Sequence, residues 1–181
     1  SIINNAFLNS LSFTKKIKKN LSLRGSAYLT NDIQNQNSFS ETNYNFESNP
    51  ISFTENSFYN RRSSLASTEL ELKYYPNDKN YITNLFLFKE HPTHTNNNLL
   101  FNSNQINQSS KNDNYTFYNH FNHTLQLDRN KVLNNYIYFG YDKMEENTKI
   151  FSPLLNSFLE VNSGDAIHQK SNNSLFYIGE K

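Results

Sequence analysis

Polar and apolar positions alternate along this chain in several runs. In the cleanest, Leu21, Leu23, Gly25, Ala27 and Leu29 fall on one side, and Ser22, Arg24, Ser26, Tyr28 and Thr30 on the other. A period of two marks a β-strand with two different faces, because successive side chains point in opposite directions. Residues 6–14 and 64–75 repeat the pattern. Residues 81–88 read as a strand of ambiguous facing. Residues 114–127 and 132–141, rich in Tyr, Phe and Thr, are strand-like, and Ser174 opens a seventh strand. Short polar breaks at residues 18–20, 76–80 and 128–131 join these runs in pairs. Longer polar segments at 33–62, 91–113 and 144–173 separate the pairs, the last with a short helical piece at 154–159. The pattern predicts an all-β fold: an antiparallel transmembrane β-barrel segment of about 6–7 strands in up-and-down hairpins. Short turns gather at one end and long loops at the other. Residues 1–181 form one partial barrel in this reading.

Three features favour a membrane barrel over a soluble sandwich. The first is the one-sided loop asymmetry, which outer-membrane barrels share. The second is length: crossing a ~25 Å apolar band at ~40° tilt takes roughly 10 residues. The alternating runs are about 9–14 residues long, against about 5–6 for ordinary strands. The third is aromatic placement. Tyr74, Tyr75 and Tyr81 flank one turn, and Tyr115, Phe117, Tyr118, Tyr138, Phe139 and Tyr141 lie toward strand ends, where interfacial girdles use such rings. The charges inside the runs agree, since Arg or Lys on a lipid face near the midplane costs about 2–4 kcal/mol and on a wet wall very little. Six or seven strands do not close such a barrel, so both edges are expected to pair with further strands. The chain begins at Ser1, its only Met is Met144, and a strand opens near its end, so it reads as an excerpt of a longer chain.

Composition narrows the classes. The chain has 17 Lys+Arg against 16 Asp+Glu, which argues against a nucleic-acid partner. It has no Cys, which excludes disulfide scaffolds and thiol chemistry. Asn is the commonest residue at 33, and mean hydropathy is -0.80. Aromatic residues still reach 15%, which a disordered chain does not carry. Low hydropathy fits strands with one wet face.

Several segments resemble barrel hairpins of TonB-dependent outer-membrane receptors: Ala6-Phe7-Leu8-Asn9-Ser10-Leu11, then Leu21-Ser22-Leu23-Arg24-Gly25-Ser26-Ala27-Tyr28. Leu70-Glu71-Leu72-Lys73-Tyr74-Tyr75-Pro76, Asn98-Leu99-Leu100-Phe101-Asn102 and Leu133-Asn134-Asn135-Tyr136-Ile137-Tyr138 do so as well. The likeness is to Asn-rich forms that begin with a carboxypeptidase-regulatory-like domain. It implies a barrel of about 22 strands, a plug domain and ligand capture by external loops. It also implies import driven by the TonB energising complex, a possible surface lipoprotein partner, and a Gram-negative outer membrane as the location. Two other readings stay open. One is a passive outer-membrane pore, adhesin or assembly barrel; the other is a secreted soluble β-rich binding module.

Candidate ligand contacts are Tyr44, Phe58, Tyr59, Asn97, Asn98 and Phe101 in the long loops, and Arg24, Tyr28, Glu69 and Glu71 on the wet wall. Their rings, amides and charges suit a chelate, sugar or peptide by stacking and hydrogen bonding. No catalytic residue, metal site or cofactor is expected. Glu69 and Glu71 share a face but have no nucleophile beside them. His120 and His123 point to opposite faces of a strand, whereas His91 and His94, in a loop, have the freedom to converge.

Overall fold

The computed structural model describes residues 2–44, 51–102, 104–160, 162 and 164–180. Each alternating run is a strand: β1 (Ile2–Lys18), β2 (Leu21–Tyr44), β3 (Ile51–Asn77), β4 (Asn80–Phe101), β5 (Asn104–Asp128), β6 (Lys131–Phe151) and β7 (Ile167–Glu180). A short helix, α1 (Pro153–Phe158), lies between the last two. The strands form one antiparallel sheet in chain order, β1 to β7. This is the predicted barrel segment of up-and-down hairpins.

The tight turns fall where expected, at Lys19-Asn20, Asp78-Lys79 and Arg129-Asn130. Side-chain oxygens close two of them. The Lys79 amide donates to Asn77 Oδ1 at 3.0 Å, and the Arg129 amide donates to Asp128 Oδ1 at 2.7 Å. A register irregularity sits beside each turn, between Lys16 and Lys18, Tyr74 and Asn77, and Gln126 and Asp128.

The expected long loops are corrected. Residues 33–44, 51–62, 91–101, 104–113 and 144–151 continue the strands, which reach 27 residues in β3. β4 ends at Phe101 and β5 begins at Asn104, and between them Asn102 takes the left-handed conformation (φ 43°). Its Oδ1 accepts from the Thr54 amide at 2.8 Å. Beyond the apolar zone both faces are polar, so alternation vanishes although the ladder continues. Side-chain hydrogen bonds between strands take the place of apolar contact. Ser64 Oγ donates to Asn31 at 2.6 Å, Ser57 Oγ to Asn97 at 3.2 Å and Thr148 Oγ1 to Ser110 at 3.0 Å. The expected helical piece is α1.

Register assigns every side chain to one of two faces. One carries Phe7, Leu11 and Phe13 of β1, Leu21 to Leu29 of β2, and Ala66, Leu70, Leu72 and Tyr74 of β3. It continues through Ile82, Phe86 and Phe88 of β4, Tyr115, Phe117 and Phe121 of β5, Ile137, Phe139 and Tyr141 of β6, and Phe176 and Ile178 of β7. Asn9, Asn84, Asn119, His123 and Asn135 interrupt it, and Lys15, Glu90, Lys143 and Glu180 bring charge to it, in register with Leu23, Ala66, Tyr115 and Ile137. Nine residues, as in 133–141, give a belt about 20 Å high at ~40° tilt.

Among the described residues no hydrophobic side chain is buried. Leu70 is 37% exposed and Phe176 66%. Leu23, Ala27 and Leu72 are only half-buried, and no second layer covers them. A water-soluble sheet of this size does not leave so continuous an apolar face bare. The belt therefore meets hydrocarbon.

Candidate functional site

The opposite face is polar and carries the candidate chemistry in three tiers. Nearest the tight turns, Arg24 stands opposite Glu71, and Ser26 opposite Glu69. Lys73 Nζ lies 3.2 Å from Glu71 Oε1. Tyr75 and Tyr81 stack with ring centroids 4.7 Å apart. These two rings and the turn residues line a recess of about 750 Å³. Tyr28, paired with Ser67, lies one step further along the same face. All four expected wall residues, Arg24, Tyr28, Glu69 and Glu71, therefore share one surface.

The middle tier is an aromatic patch on β5, β6 and β7. His120 and Tyr136 pack with centroids 3.9 Å apart, and Tyr136 meets Tyr138 at 5.7 Å. The Tyr118 and Tyr136 hydroxyls are 3.4 Å apart. Two glycines make room. A Cβ at Gly140 would lie 2.2 Å from the Tyr177 ring, and one at Gly179 2.4 Å from Tyr138. Each ring thus lies flat across a glycine on the next strand, a recognised device for protecting strand glycines. His120 Nε2, Asn114 Oδ1 and Asn122 Oδ1, all on this face of β5, are buried without a hydrogen-bond partner. Such atoms call for water or a facing polar surface.

This patch was missed in part. Tyr118 and Tyr138 were assigned to an interfacial girdle, yet they point to the polar side, as do Tyr75 and Tyr81. Tyr115, Phe117, Phe139 and Tyr141 do lie on the apolar face. Parity held the signal, since Tyr136, Tyr138 and Gly140 occupy alternate positions.

The distal tier holds the remaining expected contacts, on strands rather than loops. Tyr44 meets Phe53 edge-on at 5.9 Å, and Phe53 stacks on Phe101 at 5.8 Å. Phe53 was not anticipated. Tyr59 stands opposite Asn97 on the same polar side. Phe58 and Asn98 also form a register pair, but on the other face, so these six residues do not form one cluster.

The histidines separate for the same reason. His91 and His94 lie three apart on a strand, on opposite faces, which corrects the view that a loop lets them converge. His91 Nε2 is 2.8 Å from Ser63 Oγ, and His94 Nε2 is 3.2 Å from Asn96. Among the described residues no group of three His, Cys, Asp or Glu is arranged to hold a metal ion.

No protein-family model and no curated protein matches the chain. Solved structures do. The ferric yersiniabactin uptake receptor FyuA from Yersinia pestis superposes on 97% of this chain and 25% of its own, with TM-score 0.63 and 8% identity. The ferric citrate transporter FecA matches 99% of this chain and 25% of its own, with TM-score 0.54 and 7% identity. The ferric-catecholate import receptor Fiu from E. coli K12 matches 99% and 30%, with TM-score 0.51 and 12% identity. The chain thus spans between a quarter and a third of the length of these receptors. At such identities the likeness is one of fold, and the fold is that of a stretch of an outer-membrane β-barrel of the TonB-dependent receptor type.

Proposed function

We propose that this chain forms part of the barrel wall of a TonB-dependent receptor in a Gram-negative outer membrane, which imports a small ligand. The observation that carries the reading is the bare apolar belt on a sheet whose whole length follows a receptor barrel. β1 and β7 are the two edges of the sheet. In hydrocarbon each unpaired backbone group costs several kcal/mol, so both edges pair with strands beyond those described. A plug fills the closed barrel and faces the polar wall, where the unpartnered atoms of β5 provide contacts for it. The Asn-rich style of the hairpins favours the carboxypeptidase-regulatory-like subgroup and a surface lipoprotein partner.

Ligand capture is assigned to the distal polar face, at Tyr44, Phe53, Tyr59, Asn97 and Phe101. Stacked rings beside amides bind planar or sugar-like solutes by face contact and hydrogen bonding. The tier of Arg24, Tyr28, Glu69 and Glu71 lines the inner path. The role is transport, without catalysis. The test is uptake by cells producing the full protein. Import that stops when the proton gradient or TonB is removed supports the reading. Passage that continues unchanged after either removal refutes it.

A further inference from the structure

The apolar belt is not equally dry around the sheet. On β1, β2 and β3 its central rows are Phe13, Leu23, Gly25, Leu70 and Leu72. Lys15 stands three residues from the end of β1, so its stem carries the ammonium to the interface. On β4, β5 and β6, comparable depths hold Asn84, Asn119, His123 and Asn135, and Glu180 of β7 stands in register with Ile137. Asn84 and Asn119 satisfy each other through their reciprocal hydrogen bonds. The other polar groups of this flank have no such closure.

His123 and Asn135 form a register pair between β5 and β6. His123 Nε2 lies 3.2 Å from Asn80 Oδ1, which uses one ring nitrogen. Asn135 is exposed and makes no hydrogen bond among the described residues. The two side chains stand five residues before Asp128 and four after Lys131, roughly 10–13 Å above the turn and within the belt. Glu180 is two strand spacings from His123, about 10 Å or more, too far to bond within one copy. An amide, an imidazole and a carboxylate thus point together into the bilayer, where bare polar groups are costly.

We propose that His123, Asn135 and Glu180 centre a twofold contact between two copies of this barrel in the plane of the membrane. The Asn135 amides meet near the axis, and each His123 faces the partner's Glu180. An amide and an imidazole each donate and accept, and the carboxylate supplies an acceptor for the imidazole, so the patch complements its own image under a twofold rotation. Leu133, Ile137 and Phe139 around it are exposed apolar side chains that the contact buries. Lipid tails satisfy none of these polar groups, whereas a second wall of the same chemistry satisfies all three.

The contact needs the belt to face outward, so insertion is read separately, by heat-modifiable gel mobility. The full protein carries a photo-crosslinking benzoyl-phenylalanine at Ile137, or at Leu11 or Leu70, which lie at similar depth on the dry flank. Two differently tagged copies are produced together, and the irradiated outer membrane is analysed by pull-down and mass spectrometry. Position 137 should give an adduct holding both tags, and positions 11 and 70 adducts with lipid only. The His123→Leu/Asn135→Leu variant should insert normally and raise the dimer dissociation constant in mild detergent about tenfold, for two symmetry-related bonds at the average intramembrane strength. Lipid-only adducts at position 137, an adduct with a different protein, or equal double-tag yields at all three positions overturn the contact. An unchanged dissociation constant in the double variant does so as well. Wild-type protein that never inserts refutes the barrel reading, and the contact with it.

Discussion

Asn84 and Asn119 give the sharpest test of which face meets lipid. They sit on the apolar side of β4 and β5, with Phe86, Phe88, Phe117 and Phe121 around them. Their amides bond reciprocally: Asn84 Nδ2 donates to Asn119 Oδ1 at 3.2 Å, and Asn119 Nδ2 to Asn84 Oδ1 at 3.1 Å. Asn119 Nδ2 also reaches the Leu85 carbonyl at 3.2 Å. In hydrocarbon no water replaces a lost partner, so Asn84→Leu leaves the Asn119 oxygen unsatisfied, and Asn119→Leu strands both ends of Asn84. Each should lower stability by about 1–2 kcal/mol, since an unpaired buried amide costs about 1–3 and the new leucine offsets part of it. The double variant leaves no stranded amide there and should lie within about 0.5 kcal/mol of wild type or above it. The coupling is then about 2–4 kcal/mol, above the ~1.7 kcal/mol upper value for single hydrogen bonds inside bilayers because two reciprocal bonds are lost together. Urea unfolding of the full barrel in lipid, followed by gel mobility, measures it. Strict additivity, or a double variant worse than either single one, would refute the placement, because in water the pair would be worth almost nothing.

Three further outcomes follow from the same geometry. Phe86→Arg should cost about 2–4 kcal/mol of barrel stability and Ser26→Arg, on the polar face, under about 1; unfolding midpoints compare them, and the reverse order rejects the face assignment. Gly140→Val should push Tyr177 off its seat and weaken the near-ultraviolet dichroism of the tyrosine patch, and adding Tyr177→Ala should relieve the strain; an unchanged spectrum for the single variant contradicts the packing. Glu71→Gln should alter stability by less than about 1 kcal/mol, because its pair with Lys73 stands on a wet surface; a larger loss in the same unfolding assay would mean the pair is desolvated.

Hairpins and tight turns were legible because a membrane imposes a period of two wherever one face must be apolar. Leu21 to Thr30 and residues 64–75 carry that signal without interruption. It ends where the solvent becomes the same on both sides. Residues 33–44 and 104–113 then look like loops, although Asn, Ser and Thr pairs across strands hold them in the ladder. The candidate wall was half legible for a related reason. Arg24, Glu69 and Glu71 announce a wet face by charge. Tyr118 and Tyr138 do not, since a tyrosine suits either an interface or a lumen, and only register decides. Phe58 and Asn98 were grouped with Tyr59 and Asn97 by proximity in sequence, which in a strand puts neighbours on opposite sides.

Each strand of this sheet pairs only with those before and after it in the chain. Among the described strands, no pairing thus needs a distant part of the sequence to arrive first. The wall can be assembled one hairpin at a time as it emerges, and a gene duplication that inserts or deletes a hairpin changes the circumference by two strands without rewiring the rest. Pore width in such an architecture is a quantity that evolution can adjust in increments.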